Sequence, residues 1–221
     1  YRVAIDDPRI QLGLPEVTLG LIPGGSGITK MTRLLGLAKA QPFLIEGQLF
    51  TPAQAHAMGL VGALVAPGAD APAALRAQAI EWINANPVSQ QPWDVKGYRI
   101  PGGGPLSPSL AGAISVAPAM LRKKTRGLLP APEYALACMV EGALVDFDTA
   151  LRIESRYLAK LWTGPVARNL INTFFFNMNA IKAGGSRPAA VTRHRVQKVG
   201  VLGAGMMGAG IAYAQARKGI Q

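Results

Sequence analysis

Apolar and polar positions along the chain change their rhythm three times. Tyr1-Arg2-Val3-Ala4-Ile5 predicts a strand closed by the turn Asp6-Asp7-Pro8, and Ile10 to Gly13 predicts another short extended piece. After Ile22-Pro23-Gly24-Gly25-Ser26-Gly27 the spacing predicts a helix through Leu35, stopped by Gly36. Thr51 followed by Pro52 predicts an N-cap and first-turn proline, with Gly59 ending that short helix and Leu60 to Val65 returning to strand-like composition. Leu75, Ala79, Ile80 and Ile83 share one apolar stripe of a further helix.

The second rhythm begins at Asn86. From there to Pro118 the chain is rich in Pro and Gly, including Pro101-Gly102-Gly103-Gly104-Pro105, and without a sustained period it reads as a linker. Asp148 is the expected cap of a helix that carries Leu151, Leu158, Leu161 and Trp162 near one face as far as Gly164. Pro165 opens the next, with Val166, Leu170, Phe174, Met178 and Ile181 at helical spacing up to Gly184-Gly185. The triplet Phe174-Phe175-Phe176 covers more than one stripe, which predicts packing on at least two sides. A third rhythm follows the connector Ser186 to Arg195: Val196 to Leu202 is β-rich, and Met206 onward is helix-like.

Composition narrows the class. With 221 residues, 49% of them hydrophobic, the chain can bury an ordinary core. No run of about 18 apolar residues exists, so no membrane span is expected. The single cysteine, Cys138, excludes an internal disulfide, suits a reducing, cytoplasmic compartment and reads as a small buried hydrophobe rather than a nucleophile. No metal site is expected, because no zinc-like spacing of ligands is present. The net charge of +11 is uneven: residues 1–120 carry eight Lys/Arg against seven Asp/Glu, and residues 121–221 carry fifteen against five. The basic residues are scattered apart from short clusters such as Arg122-Lys123-Lys124-Thr125-Arg126 and Arg193-His194-Arg195, with no interleaved aromatics. A solvated face, or contact with a phosphate-bearing cofactor, accounts for this better than nucleic acid does.

Two sequences carry candidate chemistry. Gly203-Ala204-Gly205-Met206-Met207-Gly208 matches G-x-G-x-x-G between a predicted strand and a predicted helix. In that setting Gly203 makes the tight turn, Gly205 admits a pyrophosphate to the backbone, and Gly208 lets helix and strand approach. The helix N-terminus, at Met206 and Met207, supplies free N–H groups and a favourable dipole. A glycine-rich turn used only for packing is the alternative. The acidic residue that would bind the ribose hydroxyls is expected about 20 positions on, past Gln221, so these residues alone do not separate NAD from NADP. At the front, Gly13-Leu14-Pro15-Glu16-Val17-Thr18-Leu19-Gly20-Leu21-Ile22-Pro23-Gly24 sets a carboxylate beside a rigid proline turn in apolar surroundings. Glu16 is a candidate proton donor there, with a turn-stabilising or salt-bridged carboxylate as the alternative.

The run L-P-E-V-x-L-G-L-x-P-G, followed by Glu46-Gly47 and by Ala53, Ala57, Gly59, Leu60 and Val61, resembles the later part of the enoyl-CoA hydratase (crotonase) fold. Gln91-Pro92-Trp93-Asp94, the segment Phe147 to Tyr157 and the glycine motif follow in the order found in α subunits of bacterial fatty acid oxidation complexes. That resemblance implies an α/β chain: residues 1–85 as the C-terminal part of a crotonase-like hydratase domain, 86–195 as linker and helical connector, and 196–221 as the first β-α of a Rossmann domain of an NAD-dependent 3-hydroxyacyl-CoA dehydrogenase. It also implies that Glu16 is one of two catalytic glutamates that add water to a 2-enoyl-CoA, and that NAD lies over Gly203, Gly205, Met206, Met207 and Gly208. The partner glutamate and both oxyanion donors are expected before Tyr1, and the dehydrogenase's catalytic His and Glu beyond Gln221. His56 and His194 are assigned no such role. The chain is accordingly expected to be an inactive piece of a longer enzyme with acyl-CoA as substrate and a thiolase β subunit as a partner. A non-catalytic acyl-CoA or partner-binding module is the alternative. One departure stands out: where the family has P-G-x-G-G-T-Q-R-L, this chain has Pro23-Gly24-Gly25-Ser26-Gly27-Ile28-Thr29-Lys30-Met31.

Overall fold

The computed structural model describes residues 1–192 and 194–221, so Arg193 of the second basic cluster lies outside the described residues. Two compact units divide at residue 177: Tyr1–Asn177 and Met178–Gln221.

In the first unit, β1 (Val3–Ile5) pairs in parallel with β2 (Ala63–Val65), Val3 opposite Ala63 and Ile5 opposite Val65. The connection between them holds α1 (Gly27–Leu44) and α2 (Pro52–Ala57). Helix α2 starts as expected from a capping box in which the Thr51 side chain accepts from the Gln54 N–H and Gln54 returns a bond to the Thr51 N–H. Helix α3 (Ala71–Ala85) packs on both strands. Its expected stripe is rotated: Ile80 and Ile83 are exposed, and Trp82 instead turns inward to stack on Tyr1 at 4.8 Å. The two short strands cover only a narrow face, and the bulky indole takes it.

The core lies under α1. Ile28, Met31, Leu35, Leu37, Ala40, Phe43 and Leu44 are buried against Ala131, Ala135, Cys138 and Met139 of α5 (Pro130–Gly142) and Leu161 of α6 (Phe147–Trp162). α4 (Pro108–Thr125) packs on the outer side of α5. It begins inside the stretch read as linker, because Pro108 sits at a first helical turn where its missing N–H costs nothing. Gly36 breaks α1 as expected (φ 81°, ψ 166°), yet the helix resumes to Leu44. Burial of Leu37, Ala40, Phe43 and Leu44 holds the second half in place. A Cβ at Gly36 would run into the carbonyl oxygen of Pro101, so this glycine is also where the Pro/Gly-rich segment meets the core helix.

The cap of α6 is Asp146, not Asp148: Asp146 Oδ1 accepts from the Thr149 N–H at 2.8 Å, and Asp148 falls in the first turn. Trp162, expected on the inner face, is 68% exposed. α7 (Pro165–Leu170) passes into a π-helical stretch at Ile171–Asn177. Phe174, Phe175 and Phe176 remain exposed there, contrary to packing on two sides, because only α7's Ala167 is buried along this run.

In the second unit, α8 (Met178–Lys182) and α9 (Met206–Ala216) are separated by the basic connector. Val196 to Leu202 is not assigned as a strand. The Val199 N–H nevertheless donates to Gln221 O at 2.7 Å and the Gln221 N–H to Gln197 O at 3.0 Å, the alternation of a parallel pair.

Ser26, where the family pattern has glycine, adopts a left-handed backbone (φ 70°) at the N-cap of α1 and makes no side-chain cap bond. Ser26→Gly is expected to stabilise the chain by about 1 kcal/mol, because the left-handed cost of an L-residue disappears and no cap is lost. Urea unfolding checks it, as a rise in the midpoint at unchanged slope.

Candidate functional site

Glu16 sits in a single 3₁₀ turn, Pro15–Leu19. Pro15 fixes the entry, the Thr18 hydroxyl donates to Pro15 O at 2.7 Å, and Gly20 leaves the turn in a left-handed conformation (φ 80°). The Leu21 N–H donates to Glu16 O at 3.1 Å, and Val17 is buried. Behind the turn lies Gly47, where a Cβ would stand 2.9 Å from Thr18 Cγ2 and 3.1 Å from Val17 Cγ1. The resemblance to Glu46-Gly47 thus has a physical meaning: glycine is needed for the backbone to seat against the Glu16 turn. Glu46 itself is committed elsewhere, to Lys124 Nζ at 3.2 Å and to Gln48 Nε2 at 2.6 Å.

The Glu16 carboxylate is not in an ion pair or a hydrogen bond among the described residues, and its Oε2 is buried without a partner. Neither a bond to the turn nor an ion pair of this side chain is present among the described residues. A buried, unpartnered carboxylate oxygen costs free energy, which a purely structural side chain would avoid by bonding to the turn. A cavity of about 920 Å³ runs along Val17 and Thr18, walled by Ile45, Met120, Leu121 and Leu136.

Two buried polar residues near α1 escaped the sequence reading. Glu154 is 1% exposed, and its Oε2 accepts from both the Thr29 N–H (2.9 Å) and the Thr29 hydroxyl (2.8 Å). The N–H groups of Ser26 and Gly27 lie near the same carboxylate without completing hydrogen bonds. Glu154 therefore caps α1 from another helix, doing what Ser26 does not. Burial raises its carboxyl above the usual range, and the surrounding N–H groups pull it partly back. Its signal was spacing: Ala150, Glu154 and Leu161 are all buried along one face of α6. Arg33 is the other. Its Nη2 donates to Gly142 O and Val145 O at 3.2 and 3.0 Å.

The glycine motif lies in the second unit. Gly203 has φ 101°. Gly205 is the N-cap of α9, with nothing within 4 Å of where a Cβ would be. A Cβ on Gly208 would run into the carbonyl oxygen of Gly203, so this glycine is required for the loop to fold against the helix. Met206 and Met207 form the exposed first turn of α9.

The remaining candidates are structural. Cys138 is buried, and burial pushes its thiol up and away from reactivity. His56 Nδ1 lies 2.9 Å from Val61 O and ties α2 to the segment entering β2. Among the described residues no three His, Cys, Asp or Glu side chains gather as metal ligands, and no helix is long and apolar enough to cross a membrane.

Residues 1–91 match the family model described as enoyl-CoA hydratase/isomerase. The fatty acid oxidation complex subunit alpha of Shewanella amazonensis is 32% identical over 212 residues, 96% of this chain and 29% of the relative. The peroxisomal fatty acid beta-oxidation multifunctional protein of Oryza sativa is 32% identical over 95% of this chain and 28% of its own length. The chain thus spans less than a third of these relatives. Among solved structures, human mitochondrial delta3-delta2-enoyl-CoA isomerase aligns with a TM-score of 0.32 at 22% identity, over 74% of this chain and 54% of that one. Residues 1–91 thus match the enoyl-CoA hydratase/isomerase family model, and over 96% of its length the chain is similar to a segment of the fatty acid oxidation complex α subunit.

Proposed function

We propose that this chain is a segment of a bifunctional fatty acid β-oxidation enzyme that hydrates 2-enoyl-CoA and oxidises 3-hydroxyacyl-CoA with NAD. The observation that carries the reading is Glu16 Oε2, buried and unpartnered on a rigid turn within the residues that match the hydratase family. With neither carboxylate oxygen bonded to the protein among the described residues, Glu16 is not committed to holding the turn and is suited to give or take a proton. It is one half of an acid–base pair, and the second glutamate and the oxyanion donors come from sequence before Tyr1. The cavity along Val17 and Thr18 pairs apolar walls at Ile45, Met120, Leu121 and Leu136 with polar ones at Glu46 and Lys124, a lining that would take an acyl chain on its apolar side.

Residues 1–85 belong to the hydratase domain, 86–195 complete and connect it, and 196–221 open the dehydrogenase. The backbone at Gly203, Gly205, Met206, Met207 and Gly208 would hold the pyrophosphate of NAD, which when bound accepts a hydride. The open Gly205 and the parallel pairing of Gln197 and Val199 with Gln221 support that reading. The chain by itself turns over neither substrate, and a thiolase β subunit is the partner of the whole enzyme.

The test has two arms. The longer polypeptide is assayed for hydration of crotonyl-CoA and for NAD-dependent oxidation of 3-hydroxybutyryl-CoA, and both activities are expected. Absence of hydration overturns the role of Glu16, and absence of oxidation that of the glycine loop. The 221-residue chain is assayed beside it, and turnover there overturns the assignment of half the site to sequence outside it.

A further inference from the structure

Helices α6 and α7 press on the chain that leaves the Glu16 turn. The Gly20 N–H donates to Val17 O at 3.2 Å and the Leu21 N–H to Glu16 O at 3.1 Å, so these two residues close the turn that carries the carboxylate. Gly20 has φ 80°, and a Cβ there would stand 3.0 Å from both Ala167 Cα and Leu170 Cδ1 of α7. Ala167 is itself buried, so backbone meets backbone where the turn ends.

Two further contacts lie along the same segment. At Gly24 a Cβ would run into Leu158 Cδ2, and at Thr29 the Glu154 carboxylate accepts from the N–H and the hydroxyl at 2.9 and 2.8 Å. Glu154 and Leu158 are four residues apart, one turn along one face of α6. Residues 20–29 are thus held at both ends and in the middle by two helices that lie outside the family-matched residues 1–91. Pro15, Thr18 and Gly47 fix the turn itself, and α6 and α7 fix the chain that leaves it.

We propose, resting on the acid–base reading of Glu16, that α6 and α7 position its carboxylate for hydration, through Leu170 at Gly20, Leu158 at Gly24 and Glu154 at Thr29. These are positioning residues, because none of them hydrogen-bonds to the Glu16 side chain among the described residues. A general acid or base works only within hydrogen-bond reach of its proton, so a shift of about 1 Å in the turn lowers the rate while acyl-CoA binding is retained.

In the longer enzyme, Leu170→Ala withdraws a half-buried side chain from Gly20, and Glu154→Ala releases Thr29. Each should lower kcat for crotonyl-CoA about tenfold with KM within about twofold of the parent. Glu154→Gln, whose amide oxygen still accepts from the Thr29 N–H, should keep kcat within about threefold. The same substitutions are then made in a Glu16→Gln background. There neither should alter the residual hydration rate more than about twofold, because no carboxylate remains to be placed. An equal loss in both backgrounds means a merely structural role and overturns the proposal. Parent-like kcat in Leu170→Ala overturns it too, and that variant decides the matter if Glu154→Ala does not fold. Loss in Glu16→Gln with none in Leu170→Ala removes the positioning role alone, whereas full hydration by Glu16→Gln removes the reading of Glu16 as well.

Discussion

Glu16→Gln is expected to lower hydration of crotonyl-CoA by the longer enzyme about a thousandfold, with the melting temperature and KM close to those of the parent. Glutamine has the shape of glutamate but can neither release nor take up a proton near neutral pH. Because Glu16 bonds to nothing in the turn, its replacement breaks no contact that holds Pro15–Leu19 together. The turn is fixed instead by Pro15, by Thr18 and by the seat at Gly47. A structural role would show the opposite result, a lowered melting temperature with kcat retained. Glu46→Gln breaks a partly exposed ion pair with Lys124, for which a loss within about 1 kcal/mol of stability is expected.

The largest effect on stability is expected at Glu154. Glu154→Ala should cost about 3 kcal/mol in urea unfolding, because it leaves the Thr29 N–H and hydroxyl without an acceptor inside the core and uncaps α1. Relief of a desolvated carboxylate offsets part of that, which is why the figure is not larger. The pH dependence separates the two contributions. Burial holds the Glu154 carboxyl above its unfolded value, so the native state keeps a proton that the unfolded chain releases. The stability from this group is fully present below the unfolded carboxyl pKa of about 4.3 and is lost as pH rises through the folded one. Glu154→Gln, which is neutral throughout, should therefore fall furthest behind the parent at low pH and gain on it as pH rises. A gap between parent and Gln variant that widens with pH would mean that the N–H groups at Thr29, Ser26 and Gly27 outweigh burial.

Local signals were legible where they act over a few residues. Thr51-Pro52 and Gly59 do what their chemistry predicts, because caps, proline φ and positive φ are set by neighbours in sequence, whereas Gly36 takes its positive φ without ending the helix as expected. Glu16 and the glycine loop are proposed from motif, and the structure gives Gly208 and Gly47 steric reasons to be glycine. What could not be read depends on distant partners. Glu154 and Thr29 are 125 residues apart, so nothing local marks Glu154 as a cap. The inward turn of Trp82 depends on Tyr1, and the exposure of Phe174–Phe176 on how little of the first unit reaches that stretch. Asp146 displaced Asp148 by two residues, the ordinary uncertainty of a helix start with several acidic residues to choose from.

Gly36 also matters to anyone who would cut or extend this chain. Pro101 presses its carbonyl into the gap in α1 that a side chain would otherwise fill, so the stretch that looks like a dispensable tether is pinned at its middle to the central helix. Insertions or new termini belong near Val88, which is 88% exposed, rather than at the glycines of Pro101–Pro105, where composition alone would place them.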